Sequence, residues 1–329
     1  MKKRHIFFSA LSLLAGIFLS GCVYVSLPGV EPRREKTIGG AGADKVLVID
    51  ISGMITGDDD KNMMGIETAP NITARIKEEL NMAIEDSHVK AIVLRINTPG
   101  GTVTTCDIIS HEITQFKKKK NIPVIAELMD VAASGGYYIA VSADKIIAHP
   151  TTVTGSIGVV AYNVNASGLM EKIGLVDQTI KSGDKKDMGS PLRPMTEDDK
   201  RILKTVIDGL YDRFLDVILE GRKFAGFTKP ELKKIADGRI YSASQAIELK
   251  LIDSLGYLDD AVEAAKNAAG IKEARVITYS PASSYRNNVY SNMGGYAPVG
   301  GPPMVNLVYI DADSMTKRFG MRFVYLWMP

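Results

Sequence analysis

The chain reads as an α/β domain built on a parallel sheet with crossover helices. Three observations carry that reading. Near-continuous apolar runs recur, of the kind buried on both faces of a sheet. Segments with apolar residues three and four apart lie between them. The two kinds alternate in chain order as strand, helix, strand, helix, strand, which is the order parallel pairing requires.

Lys45-Val46-Leu47-Val48-Ile49-Asp50-Ile51 is the first buried strand. Gly57 to Gly65 is polar and reads as a flexible stretch. Ile72, Ile76, Leu80 and Ile84 recur every fourth residue and predict a helix over 71–86. Lys90 to Ile96 is the second strand, ending at Thr98-Pro99-Gly100-Gly101. Ile108, Ile109, Ile113 and Phe116 mark one side of a helix over 103–118. The lysines at 117–120 read as its solvated end, where cations favour the helix dipole. Pro123 to Leu128 is the third strand, and Ala133 to Val141 the helix that follows it. The longest helix covers 196–220, with a stripe of Leu203, Ile207, Leu210, Phe214 and Val217 suited to core or subunit contacts. Further helices are predicted over 230–236, 243–249 and 258–269.

The ends of the chain differ from this body. Lys2, Lys3 and Arg4 precede an apolar run from Ile6 to Phe18, and Leu19-Ser20-Gly21-Cys22 closes it. That pattern is an export signal, too short for an ordinary spanning helix. The closing tetrapeptide resembles the lipobox of bacterial lipoproteins. Residues 1–21 are therefore expected to be a lipoprotein signal peptide, with Cys22 the lipidated first residue of the mature chain. Stable anchoring needs two or more acyl chains at about 0.8 kcal/mol per buried methylene. The expected location is the bacterial cell envelope, on the extracytoplasmic side of a membrane. Residues 22–43, rich in Gly and mixed charge, read as a tether, and 44–280 as the globular domain. From 281 to 329, Ser, Asn, Gly and Pro form a flexible linker before an apolar, aromatic end at Phe323 to Trp327. That end could join the sheet, cover a groove or contact a neighbouring copy.

The formal charge is +2, and loss of the three signal cations leaves −1, which gives no nucleic-acid footprint. With Cys22 assigned to lipid, Cys106 stands alone without a disulfide partner. Thr105 and Asp107 beside it offer nothing to lower its pKa, so it reads as buried and inert. His88, His111 and His149 sit in no catalytic pattern. No HExxH, CxxC or phosphate-cradling loop occurs, so no metal or cofactor is expected.

Three segments carry chemistry. Asn97-Thr98-Pro99-Gly100-Gly101 turns from strand to helix, and its exposed N–H groups could hold a developing oxyanion. Ser134 lies among Ala132, Ala133, Gly135 and Gly136, small residues that let a substrate backbone approach a nucleophilic hydroxyl. Lys181, Lys185 and Lys186 stand in one loop, and any of them could act as general base if its ammonium form were disfavoured. Chemistry alone leaves that choice open.

At these residues the chain resembles the signal peptide peptidase A, or protease IV, family, in its short form with a single catalytic domain. The resemblance covers about residues 44–275 and rests on five blocks in order: Arg95 to Gly101, Asp130 to Tyr138, Thr154 to Val159, Lys181 to Asp187, and Gly238-Arg239-Ile240-Tyr241-Ser242. It implies a crotonase/Clp protease-like fold of repeated ββα superhelical units with added C-terminal helices. It implies Ser134 as nucleophile, Lys186 as general base, Ser156 as the residue orienting the lysine, and the N–H groups of Gly101 and Gly135 as oxyanion hole. It further implies homo-oligomeric rings with active sites near subunit interfaces, acting on remnant signal peptides and other apolar peptides. Thr98 stands where the family usually has serine, a change expected to cost no chemistry. Two other readings compete. An acyl-CoA enzyme of the same fold would need a CoA site and a cytoplasmic location. A non-catalytic lipoprotein acting as an assembly or binding module would leave the serine and lysine dispensable.

Overall fold

The computed structural model describes residues 32–58, 60–61, 67–281, 284, 288, 290–291 and 322–328. The signal segment and Cys22 lie outside the described residues. In chain order the elements are β1 (Arg33–Gly40), β2 (Lys45–Ser52), β3 (Asp60–Lys61), β4 (Glu67–Ala69), α1 (Ile72–Glu85), β5 (Val89–Thr98), β6 (Gly100–Thr102), α2 (Val103–Lys120), β7 (Val124–Ala133) and α3 (Gly135–Ala140). They continue with β8 (Lys145–Ala148), β9 (Val153–Gly155), β10 (Val160–Tyr162), α4 (Ser167–Lys172), α5 (Glu197–Gly221), α6 (Lys229–Ile235), β11 (Ile240–Ser242), α7 (Ala243–Glu248), β12 (Ser254–Leu255), α8 (Leu258–Ala269), β13 (Arg275–Pro281) and β14 (Arg322–Leu326).

The expected α/β architecture is what the chain adopts. β2, β5, β7 and β8 lie side by side and parallel. Because strand residues alternate between faces, one set buries against the first helices and the other against the last. Leu47, Ile49, Ile92, Leu94, Ala126 and Leu128 join Ile76, Leu80, Ile109 and Ile113 in one core. Val46, Val48, Val93 and Ile125 join Leu258, Ala261 and Ala265 of α8 in the other. A sheet apolar on both faces explains why its strands read as unbroken apolar runs.

Two boundary expectations change. Residues 33–40 are a strand and not part of a tether: β1 pairs antiparallel with β13, which itself lies parallel to β2. An edge strand needs a hydrogen-bonding partner but little apolar surface, so charged residues suffice; Ile38 alone of β1 is buried. Ion pairs fix it, Lys45 to Glu35 at 2.7 Å and Arg33 to Glu79 at 2.9 Å. Part of the Gly57 to Gly65 stretch is likewise ordered, as β3 paired with β4. The lysines ending α2 are not all solvated. The Lys120 amine donates to the Asp86 carbonyl at 2.5 Å, closing the end of α1, and Lys117 pairs with Asp144 at 2.7 Å.

Near its end β7 changes partner. Up to Leu128 it pairs with β8, and from Val131 it pairs with β9. This switch carries the end of β7 and the start of α3 alongside Thr154-Gly155-Ser156. The C-terminal residues return as β14, antiparallel to both β6 and β10, in a second small sheet beside the same point. Of the fates open to them, they join a sheet, as the middle strand between β6 and β10.

Candidate active site

Ser134 is the hinge between β7 and α3. Its φ is 53° and ψ −111°, a conformation that costs a non-glycine residue roughly 1–3 kcal/mol. The turn is held by two main-chain bonds: Ser134 N–H donates to Gly155 O at 2.8 Å, and Tyr138 N–H donates to Ser134 O at 2.9 Å. The small neighbours that marked this segment in the sequence are demanded by close approach. A Cβ on Gly135 would collide with the Cys106 thiol, and one on Gly136 would lie 2.8 Å from the Thr98 methyl. Ser134 is buried, and its Oγ has no hydrogen-bond partner among the described residues.

Ser156 is next to it. Ala133 pairs with Gly155 in register, so Ser134 and Ser156 are the following residues on adjacent strands. Ser156 also has positive φ, 50°, and is nearly buried.

The glycine turn stands on the other side. Gly100 has φ +108°, and a Cβ there would come within 2.8 Å of the Gly135 nitrogen, so the two candidate oxyanion segments are in contact. Thr98 braces the turn. Its hydroxyl accepts the Gly100 N–H at 3.0 Å and donates to Gly53 O at 2.5 Å. Serine could make both bonds; the extra methyl fits because Gly136 lacks a side chain. The substitution is thus compatible with the expected chemistry.

β14 lies over this arrangement as an extended strand. Tyr325 is opposite Gly101 and Leu326 opposite Gly100, while Trp327 N–H donates to Pro99 O at 2.9 Å. The Tyr325 carbonyl oxygen points at the glycines: it is 3.1 Å from where a Gly135 Cβ would be. The Tyr325 ring is fully buried beside Tyr138 and Phe214, with centroids 5.0 and 4.7 Å away, and its hydroxyl donates to Leu210 O at 2.9 Å. Sequence reasoning named this segment without assigning it. The signal was present, an apolar aromatic run after a Gly- and Pro-rich linker, but its pairing with residues over two hundred positions earlier has no local trace.

Lys186 is not brought to Ser134 within the protomer. It lies exposed in a loop, with its N–H bonded to Gly183 O at 3.0 Å. The structure does separate the three lysines. Lys181 pairs with Asp187 at 2.7 Å, and Lys185 with Asp198 at 2.6 Å and Asp199 at 3.1 Å. These carboxylates hold the Lys185 ammonium protonated, with its pKa raised first by Asp198. Lys186 has no ion pair among the described residues. The surrounding segment carries Leu169, Ile173, Leu175, Val176 and Ile180 outward, and Ile180 is 99% exposed.

Cys106 is buried under Gly135, and burial pushes its thiol pKa up, which agrees with an inert role. His149 contacts Thr151 at 2.8 Å and stacks edge-on with Tyr257, away from Ser134. Among the described residues no cluster of His, Cys, Asp or Glu could hold a metal ion, and no helix is long and apolar enough to cross a membrane.

Comparison with known proteins adds to this geometry. Residues 116–272 match the family model described as Peptidase family S49. The chain is 36% identical over 299 residues to an Enterococcus faecium protein named as a signal peptide peptidase SppA, covering 84% of both chains. It is 33% identical to Protease 4 of Haemophilus influenzae over 68% of this chain and 34% of that protein. A solved membrane-bound stomatin-specific protease aligns at TM-score 0.46 and 16% identity over 73% of this chain.

Proposed function

The chain belongs to peptidase family S49, a family of serine-type proteases, and on that premise we propose that it is a membrane-anchored endopeptidase using Ser134 and Lys186 to degrade remnant signal peptides. One observation carries the reading. An extended segment of the chain already lies across the strained serine with a carbonyl aimed at two glycine turns. A groove that holds one strand this way suits any apolar peptide that adds by main-chain pairing, with a pocket wide enough for an aromatic ring.

In the proposed reaction the Ser134 Oγ attacks the carbonyl carbon while the neutral Lys186 amine takes its proton. The N–H groups of Gly101 and Gly135 receive the developing oxyanion, a contribution typically worth 10²–10³ in rate per donor. The lysine then gives its proton to the departing amine, leaving an acyl-enzyme that water hydrolyses. Ser156 orients the amine. Among the described residues the Ser134 hydroxyl has no base beside it, and the segment bearing Lys186 points outward with an apolar surface. We therefore infer a ring in which the Lys186 of one copy serves the Ser134 of the next. Lipid on Cys22 would hold the ring where cleaved signal peptides are concentrated.

The test is hydrolysis of apolar peptides, together with fluorophosphonate labelling, in wild type, Ser134→Ala, Lys186→Ala and Lys185→Ala. Activity and labelling should vanish in the first two variants and persist in the third. Equal activity in all four would end the dyad, and absence of hydrolysis and labelling in all four, wild type included, would favour the non-catalytic module.

A further inference from the structure

Gly238-Arg239-Ile240-Tyr241-Ser242 is the one block of the family resemblance to which no role has been attached. In the fold it is β11 and the corner before it. β11 runs antiparallel to β9, with Ile240 opposite Gly155 and Tyr241 opposite Thr154. One residue further, Ser156 N–H donates to the Arg239 carbonyl at 2.7 Å. On the next strand, Ser134 N–H donates to the Gly155 carbonyl at 2.8 Å. The two serines of the site thus hang on one main-chain ladder whose outer rail is β11.

That rail has work to do, because both serines hold a positive φ, 53° and 50°. Such conformations persist only where the surroundings over-determine them. For Ser156 the constraint comes from β11 in two forms. The first is the bond to Arg239 O. The second is the Tyr241 ring, which lies close under Gly155: a Cβ there would be 2.7 Å from the ring, and Gly155 itself has φ +86°. Tyr241 is in turn fixed, since its hydroxyl donates to the Ile235 carbonyl at the end of α6 at 2.7 Å. At the corner, Asp237 and Arg239 pair across Gly238, with Arg239 Nε 2.8 Å from Asp237 Oδ1. The Arg239 side chain is thereby turned to its own corner, and only its carbonyl serves the site.

We propose that β11 is a positioning element for the reaction: the Arg239 carbonyl and the Tyr241 ring hold Ser156 where its hydroxyl can orient the Lys186 amine. The proposal rests on the serine–lysine reading above. Tyr241 touches no reacting atom, so its effect must pass through Ser156, and that makes it separable from a general loss of stability.

The experiment compares the pH dependence of peptide hydrolysis in the full chain for wild type, Ser156→Ala, Tyr241→Leu, Tyr241→Phe and the double variant Ser156→Ala/Tyr241→Leu. With a lysine base, activity rises with pH as the amine loses its proton, and the ascending limb reports that amine. Tyr241→Leu should lower kcat by about tenfold or more, with KM unchanged, and move the ascending limb the same way as Ser156→Ala. Tyr241→Phe keeps the ring but loses its bond to the Ile235 carbonyl, and should move the limb less than Tyr241→Leu does. The double variant should be no worse than Ser156→Ala alone, within about twofold, because both act through one hydroxyl. Should Tyr241→Leu not fold, Gly238→Ala replaces it. A Cβ there meets nothing within 4 Å, so only the backbone at φ +91° is disturbed, and the limb should move in the same direction. Losses that multiply in the double variant, with a wild-type limb in Tyr241→Leu or Gly238→Ala, would overturn this proposal and leave the serine–lysine reading intact. Wild-type kinetics in Ser156→Ala would overturn the proposal too, and would also remove Ser156 from that reading.

Discussion

Replacing Tyr325 by alanine should turn the enzyme on. The ring is fully buried between Tyr138 and Phe214, and its hydroxyl donates to Leu210 O at 2.9 Å. Truncating a buried aromatic side chain to alanine typically costs about 3–5 kcal/mol. The ring is part of the main core, but on the proposed function it belongs to a strand lying where a substrate would pair, and on that reading the loss falls chiefly on the closed arrangement. Taking the low end, about 3 kcal/mol is a factor of about 100 in the balance between covered and open groove. A substrate competing with a tethered occupant sees its affinity reduced by the open fraction. The variant should therefore show KM lowered by about 10–100-fold with kcat little changed, read from hydrolysis of a fluorogenic apolar peptide. Removing residues 322–329 should act in the same direction. An unchanged KM would refute the reasoning. So would loss of activity together with a fall in Tm, because the strand would then be part of the scaffold and not an occupant.

Other outcomes follow from the same geometry. Thr98→Ser keeps both hydroxyl bonds and should be nearly neutral, whereas Thr98→Val strands the Gly100 N–H and should cost about 1–3 kcal/mol in urea unfolding and lower kcat. Glu127 on β7 is fully buried, with neither carboxylate oxygen partnered among the described residues; burial first, then Asp260, raises its pKa from 4.5 to about 9. The folded value lies above the unfolded one, so its stabilising proton is fully held below about pH 4.5 and stability is lost as pH rises toward 9. Glu127→Gln should therefore gain on wild type between pH 5 and 8, by at most about 1.4 kcal/mol per pH unit, and an equal urea midpoint difference at both pH values would contradict this. Ile180→Asp, at a fully exposed position of the outward segment, should leave the melting temperature of the protomer intact while reducing both assembly and hydrolysis, as read by light scattering and peptide cleavage.

The parallel sheet was legible because strands buried on both faces write themselves as apolar runs, as Val46 to Ile51 and Ala91 to Ile96 do. Edge and short strands leave no such record. β1 is charged and gains its order from β13, and β9 and β11 are three residues each. Ser134 was visible through its small neighbours, whose reason is the close approach of Cys106 and Thr98. The lysine was not. Its distinction from Lys181 and Lys185 depends on carboxylates at Asp187, Asp198 and Asp199, whose pairing is a property of the folded loop. The placement of β14 was hidden for the same reason, since Tyr325 meets Gly101 only through tertiary pairing.

The most direct measurement mixes two inactive proteins. Ser134→Ala and Lys186→Ala are each expected to be silent toward an apolar peptide. Assembled together from dissociated chains, they should recover hydrolysis, because some sites then combine an intact Ser134 from one copy with an intact Lys186 from its neighbour. Full activity in Lys186→Ala alone would contradict the dyad. Two silent variants that stay silent when co-assembled would contradict a site completed between copies.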